Sequence, residues 1–313
     1  MAHVLNVLLP GRDKLSFVAA FNAWLARGTA LPSATPGYLH ALAEFFRWPA
    51  GPLPAAALIR QSVAGDAGDA QWVCADPAWV QPELSGARLL GCGNLGVSSA
   101  DAASLVAALG ETFAEAGMSL HVGDPQHWQL KVPGYISVPA LPDPEEALGA
   151  DLFEQLPQGE DGRRWRALIN EAQVVLHNHP ANGARRYDNL PPINSVWLWG
   201  AGTLPAWVEC GQSGIYSDDL LVWALGHKAG VDVQHRAALV GARSRAIPAT
   251  GGHPAAELLD LQDTQPTDFA QTWWPYLLAR LEAGTELRLA FADGTRTLLR
   301  KAHRLRFWRK AKA

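Results

Sequence analysis

Residues 170–202 read NEAQVVLHNHPANGARRYDNLPPINSVWLWGAG, and the changes of character along this stretch decide how the chain is read. Its first part closes a helix expected from about Gly162 to Asn178. Trp165, Leu168, Ile169, Ala172, Val175 and Leu176 recur at helical spacing, and Pro180 stops the run. A turn region follows that gathers His177, His179, Asn182, Arg185 and Arg186. Beyond it, Ser195 to Trp199 reads as a strand, with Asn194 beside it and Gly200-Ala201-Gly202 directly behind it. Open α/β sheets place ligands in loops at the carboxyl ends of strands. Guanidinium groups together with exposed backbone N–H groups suit a phosphate or a carboxylate. The bland reading of the same residues stands beside that one: histidines satisfied near the core, and arginines solvated or salt-bridged.

Working outward, Val4 to Leu9 is an apolar run ended by Pro10-Gly11, a buried strand. A helix is expected through Ser16 to Ala26. Thr35 is placed to cap a second one, with Pro36 at its first position. The Ala-, Gly- and Pro-rich segment from Gly51 to Ala70 marks a boundary. Ser98 with Asp101 resembles a capping box, and Leu105, Val106, Leu109 and Phe113 form one face of a helix ended by Gly117. Short strands are expected around Leu120–Val122 and Trp128–Val132. Downstream come a helix over Ser217–Ala229, strands at Val231–Val233 and Leu258–Leu261, and a helix over Thr267–Glu282 that Pro275 kinks or starts. Leu287–Phe291 then turns through Asp293-Gly294 into Thr297–Leu299, a hairpin. Strands alternating with helices give an α/β architecture.

The bulk numbers narrow the class. The 313 residues are 48% apolar and 18% charged, which excludes disorder and allows one large domain or two ordinary ones. A net charge of −4 argues against a nucleic-acid partner. The eight Lys or Arg between Arg296 and Lys312 read as a final strand and a solvated tail, with an RNA or anionic-membrane contact as the sharper alternative. Cys74, Cys92 and Cys210 are far apart and without metal spacing, so free thiols and a cytoplasmic location are expected. No signal peptide, transmembrane run or membrane insertion is expected. The 13 tryptophans read first as packing, and second as a ligand-stacking or partner-binding surface around Trp197, Trp199 and Trp207.

Other motifs for chemistry are weak. Gly91-Cys92-Gly93-Asn94-Leu95-Gly96 matches Gly-x-Gly-x-x-Gly but reads as a turn, since only Arg88-Leu89-Leu90 precedes it and serines follow. Ser62 has no acid, base or metal ligand beside it to activate a hydroxyl. His253 and Glu257 have helix-face spacing, but two ligands do not make a metal site.

The pattern His179-Pro180-x-Asn182, Arg185, Asn194 and Gly200-x-Gly202 resembles the archaeal-type cofactor-independent phosphoglycerate mutases of the alkaline phosphatase superfamily. Gly183 and Trp199 stand where that family has two arginines. Thr35-Pro36-Gly37-Tyr38-Leu39 resembles a helix start common in the superfamily, and Leu287–Thr297 resembles a late core strand. Asp76-Pro77, Asn170-Glu171-x-Gln173 and Asn194-Ser195-x-Trp197-x-Trp199-Gly200 are most similar to the bacterial RpfE-type regulatory proteins.

The resemblance implies a degenerate alkaline-phosphatase-like α/β core, its sheet flanked by helices, made of residues 1–70 and 191–313. A smaller α+β domain is inserted at 71–190. It further implies an anion site of His179, Asn182, Arg185, Arg186, Asn194, Gly200 and Gly202. Active relatives hold two divalent ions on Asp and His ligands and use a Ser or Thr nucleophile. Here the first strand ends Leu8-Leu9-Pro10-Gly11 without an Asp, and Asp260, Asp263 and Asp268 have no nearby histidine in the family's setting. The expectation is a bacterial pseudoenzyme with no catalytic or metal-ligating residues and no cofactor. It would bind a phosphorylated or carboxylate metabolite, or a protein partner, in a regulatory role. The alternatives are an active mutase or phosphatase dependent on manganese or magnesium, and a protein-interaction scaffold.

Overall fold

Strand β1 (Val4–Leu9) is the apolar run at the start of the chain, and its buried residues enter both faces of a sheet. After it come β2 (Thr29–Ala30), β3 (Phe46–Arg47), β4 (Gln71–Glu83), β5 (Gly86–Cys92), β6 (Ser119–Asp124) and β7 (His127–Val132). The remaining strands are β8 (Ser195–Gly202), β9 (Glu209–Cys210), β10 (Gly214–Tyr216), β11 (Val233–Gln234), β12 (Ala256–Asp260), β13 (Glu286–Phe291) and β14 (Arg296–Leu299). The computed structural model describes residues 3–84, 86–241, 256–306 and 308–309. His253 and Lys312, named above, lie outside the described residues.

The chain divides into two compact units, Met1–Trp48 with Trp207–Ala313, and Pro49–Ala206. The discontinuous unit holds a sheet in the order β11-β10-β12-β1-β13-β14-β2. Strands β11 to β13 run parallel, and β14 and β2 close one side antiparallel. Successive side chains of a strand point to opposite faces. Leu5, Val7 and Leu9 therefore meet one layer while Asn6 and Leu8 meet the other. The first layer is built from helices Ala19–Arg27 and Trp274–Glu282. Phe21 packs there at 4.9 Å from Phe269 and 5.0 Å from Trp274, and each fully buried ring or leucine contributes about 1.5–3 kcal/mol. On the other face, helix Leu220–Lys228 comes close enough that a Cβ on Gly226 would sit 2.3 Å from Val233 and 3.2 Å from Ile215.

The second unit is a mixed α+β body on a sheet ordered β5-β4-β7-β6, with β8 also pairing to β4. Helices Ala55–Ala64, Ser99–Glu115 and Gly159–His177 pack on it. Trp72, Trp128 and Trp165 are fully buried in this unit, and Trp197 and Trp199 nearly so. Packing is thus the dominant use of the tryptophans. The unit expected over 71–190 takes in both of its flanks. β8 pairs with β4 from Trp72 to Ala78, and helix Ala55–Ala64 packs against β8. Those contacts draw residues 49–70 and 191–206 into the same body.

Local expectations meet the structure unevenly. Ser98 Oγ accepts from Asp101 N at 3.0 Å, as a capping serine should. The helix after Pro36 instead starts at Tyr38 with Gly37 as N-cap and no side-chain cap, so Thr35 is not its cap. The helix after Tyr216 begins at Leu220, because Asp219 Oδ1 caps Val222 N at 3.0 Å. Pro275 marks a true restart: a π-helical turn, Phe269–Trp273, precedes helix Trp274–Glu282. The Gly91–Gly96 segment leaves a strand longer than expected, β5, and leads into helix Ser99–Glu115. Among the described residues, no helix is long and apolar enough to cross a membrane.

Candidate functional site

The segment 170–202 folds as helix, short helix and strand, and the side chains of Asn182, Arg185 and Asn194 take backbone partners. Asn182 is buried. It donates to the carbonyls of Leu176 at 2.7 Å and Ile193 at 2.8 Å, and accepts from Ile193 N at 2.8 Å. Arg185, 3% exposed, donates to the carbonyls of Pro191 at 2.8 Å and Gly96 at 3.1 Å, and to that of Leu95. Burial lowers its pKa, with Asp101 opposing the shift. Asn194 extends the β8 ladder with its side chain, accepting from Val80 N at 2.8 Å and donating to Val80 O at 2.7 Å.

His179 is half-buried. Its Nδ1 accepts from Ala181 N at 3.2 Å, and its Nε2 lies 3.4 Å from Ser104 Oγ. Arg186 stands exposed on helix Ala181–Tyr187. Gly200 adopts φ +59, and a Cβ there would come within 2.7 Å of Ala55 Cβ. The glycine therefore admits helix Ala55–Ala64 at close range. Gly202 likewise lies against Pro54.

Of the three tryptophans expected to offer a surface, Trp197 donates to Pro142 O at 3.1 Å and Trp199 to Asp76 Oδ2 at 2.7 Å, both inside the unit. Trp207 is 45% exposed. Asp76, 1% exposed, also meets His127 Nδ1 at 3.1 Å, and its Oδ1 has no hydrogen-bond partner among the described residues.

The other concentration of chemistry lies in the discontinuous unit, at the carboxyl ends of its parallel strands. Strand β10 runs into Ser217-Asp218-Asp219, β11 into His235-Arg236, and β12 ends at Asp260 with Asp263 just beyond. Asp260 is buried. Its Oδ2 accepts from Ser217 Oγ at 2.8 Å and Tyr38 Oη at 3.5 Å, and its Oδ1 from Gln262 N at 3.2 Å. Burial, then the charge of Asp219, pushes its pKa up to about 7. Burial together with Asp219 and Asp260 holds the Tyr38 hydroxyl well above its usual range.

Arg236 binds the neighbouring carboxylates. Its Nε donates to Asp218 Oδ2 at 2.7 Å, and its Nη1 and Nη2 donate to Asp263 at 2.5 and 3.1 Å. A further Nη1 contact reaches Asp260 O at 3.3 Å. Burial works against the guanidinium charge, but Asp263 and Asp218 outweigh it and raise its pKa. Burial likewise works to raise Asp218, whereas hydrogen bonds from Arg236 and His235 bring it below the usual carboxylate range. A cavity of about 480 Å³ opens beside these groups, lined by Asp218, Arg236, Val240, Asp268, Thr272 and Trp273 among others.

The sequence reading missed this cluster, apart from Asp260 and Asp263. Position after a strand is its one trace in the sequence: Ser217-Asp218-Asp219 and His235-Arg236 each directly follow a short strand, which is where such sheets carry function.

No protein-family model matches the chain. The 2,3-bisphosphoglycerate-independent phosphoglycerate mutases of Methanosarcina mazei and Methanosarcina acetivorans are 36% identical to it over 96 residues and 37% over 95. A Geobacter sulfurreducens protein named as a probable mutase of the same kind is 38% identical over 95 residues. This chain is similar to phosphoglycerate mutases. Each match takes in 29% of this chain and 24% of the mutase, so about a quarter of the length of these curated relatives is covered. Among solved structures, a cofactor-independent mutase from Thermoplasma acidophilum aligns over 96% of this chain and 90% of its own, at 16% identity and a TM-score of 0.41. A Pyrococcus horikoshii protein aligns over 95% and 87%, at 14% identity and a TM-score of 0.45.

A two-cation centre of the kind such a resemblance implies needs several oxygen or nitrogen donors converging on each ion. Among the described residues, no group of three His, Cys, Asp or Glu side chains is placed to hold a metal ion. The strand-tip carboxylates are engaged elsewhere: Asp218 and Asp263 with Arg236, Asp219 with a helix N-terminus, Asp260 with Ser217. This donor set does not fit two divalent cations.

Proposed function

We propose that this chain is a phosphoglycerate-mutase-related protein of the alkaline phosphatase superfamily that no longer transfers phosphoryl groups and acts by binding, in a regulatory role. The observation that carries the reading is Arg236, a tethered cation seated among the carboxylates at the strand tips. Phosphoryl transfer between paired metals needs those oxygens free to take ions.

The regulatory part rests on the resemblance of Asn194-Ser195-x-Trp197-x-Trp199-Gly200 to the RpfE-type proteins. The ligand class is a phosphorylated or carboxylate metabolite. Arg186 and His179 make the contact, while Arg185, Asn182 and Asn194 shape the loop beneath them. A protein partner is the other reading, with Trp207, in the discontinuous unit, as its exposed aromatic.

One observation favours an active mutase: Asp218, Asp219, Asp260 and Asp263 cluster at the sheet end that carries chemistry in α/β proteins. A single assay separates the readings. Purified chain with manganese and 3-phosphoglycerate is expected to form no 2-phosphoglycerate and release no phosphate. Turnover that a chelator abolishes would overturn the non-catalytic reading.

A further inference from the structure

We infer that Arg236 is the resident cation of the strand tips. Its guanidinium holds the place of a divalent ion between Asp218, Asp263 and the Asp260 carbonyl, and deleting it turns the tips into a divalent-cation site. The inference rests on the reading above that these tips do not run metal chemistry.

The geometry comes from three strands. β10 delivers Asp218, β11 delivers Arg236, and β12 delivers Asp260 and Asp263. The guanidinium contacts both carboxylates at 2.5–3.1 Å and the carbonyl at 3.3 Å, and its side chain is 12% exposed. His235 Nδ1 also faces Asp218, at 2.9 Å. Two carboxylates and a carbonyl are hard oxygen donors, the set that manganese or magnesium takes while keeping waters in its remaining positions. With the guanidinium present, those oxygens are occupied by a charge the chain cannot release. Without it, Asp218 and Asp263 face one another with Asp219 and Asp260 nearby, and like charges so placed attract a cation.

The test titrates manganese into the full chain and follows the free aqueous ion by electron paramagnetic resonance. Wild type is expected to leave the ion free. Arg236→Ala is expected to take up a single ion at least about tenfold more tightly than wild type, because affinity follows the count of charged ligands. Adding Asp263→Asn to that variant is expected to abolish the gain. Should Arg236→Ala fold poorly, Arg236→Gln serves in the same titration, and manganese is expected to raise its melting temperature.

A folded variant that binds manganese no better than wild type overturns this inference and leaves the proposed function standing. Wild type that takes up manganese in an Asp263-dependent way overturns both.

Discussion

Two arginines, one buried and one partly covered, one in each unit, solve opposite problems. Arg185 sits among neutral carbonyls, those of Leu95, Gly96 and Pro191. Arg236 sits among carboxylates. Burial lowers the pKa of the first, whereas ion pairing overrides burial and raises that of the second. A guanidinium buried against dipoles fixes loop geometry and leaves a net charge inside. Against carboxylates it neutralises charge that would otherwise recruit a cation. The same residue type therefore marks a structural clamp in one place and a charge-neutralising tether in the other.

The largest expected effect breaks the clamp. Arg185→Ala strips donors from three carbonyls and is expected to cost about 3–5 kcal/mol, read as a lower urea midpoint. Salt should change that loss little, because the site is buried.

The pH dependence of the second region comes next. The Asp260 pKa of about 7 stands well above the usual aspartate value, so between about pH 4 and pH 7 the folded chain binds the extra proton. Stability from this group is greatest at the acid end and is lost as pH rises toward 7. The change is on the order of 2–4 kcal/mol. Asp260→Asn is expected to flatten that part of the melting-temperature profile.

Arg236→Ala should cost less than Arg185→Ala, about 1–2 kcal/mol, because Asp218 and Asp263 reach solvent and rehydrate. Its loss should shrink as salt rises. An Arg236→Ala variant as damaged as Arg185→Ala, and equally indifferent to salt, would erase the contrast.

The smallest effect on stability falls at Arg186. Its replacement by Ala should shift stability by no more than about 0.5 kcal/mol, while weakening 3-phosphoglycerate binding about tenfold or more in calorimetry.

What could be read ahead of the structure followed from distance along the chain. Val4–Leu9, the helix closing near Asn178, the Ser98 cap and the Asp293-Gly294 hairpin are decided by residues close in sequence, and all appear where periodicity and turn chemistry place them. The partners of Arg185 and Asn194 could not be read. Arg185 reaches back to Leu95 and Gly96, and Asn194 to Val80, across a whole folded unit. Spacing identifies a polar residue in a turn but not whether carbonyls or a ligand will face it. The strand-tip cluster was hidden for the same reason. Asp218, Arg236 and Asp263 each look like ordinary loop charges until the parallel order β11-β10-β12 sets them side by side.

Strand β1 lies between β12 and β13, so its partners are encoded near the far end of the chain. A ribosome releases this apolar strand with both edges bare, and the second unit can be complete before either neighbour exists. Native pairings this distant in sequence slow folding and prolong exposure of sticky edges. Truncation ahead of residue 256 would leave β1 without either parallel neighbour, a nascent hazard that holdase chaperones relieve.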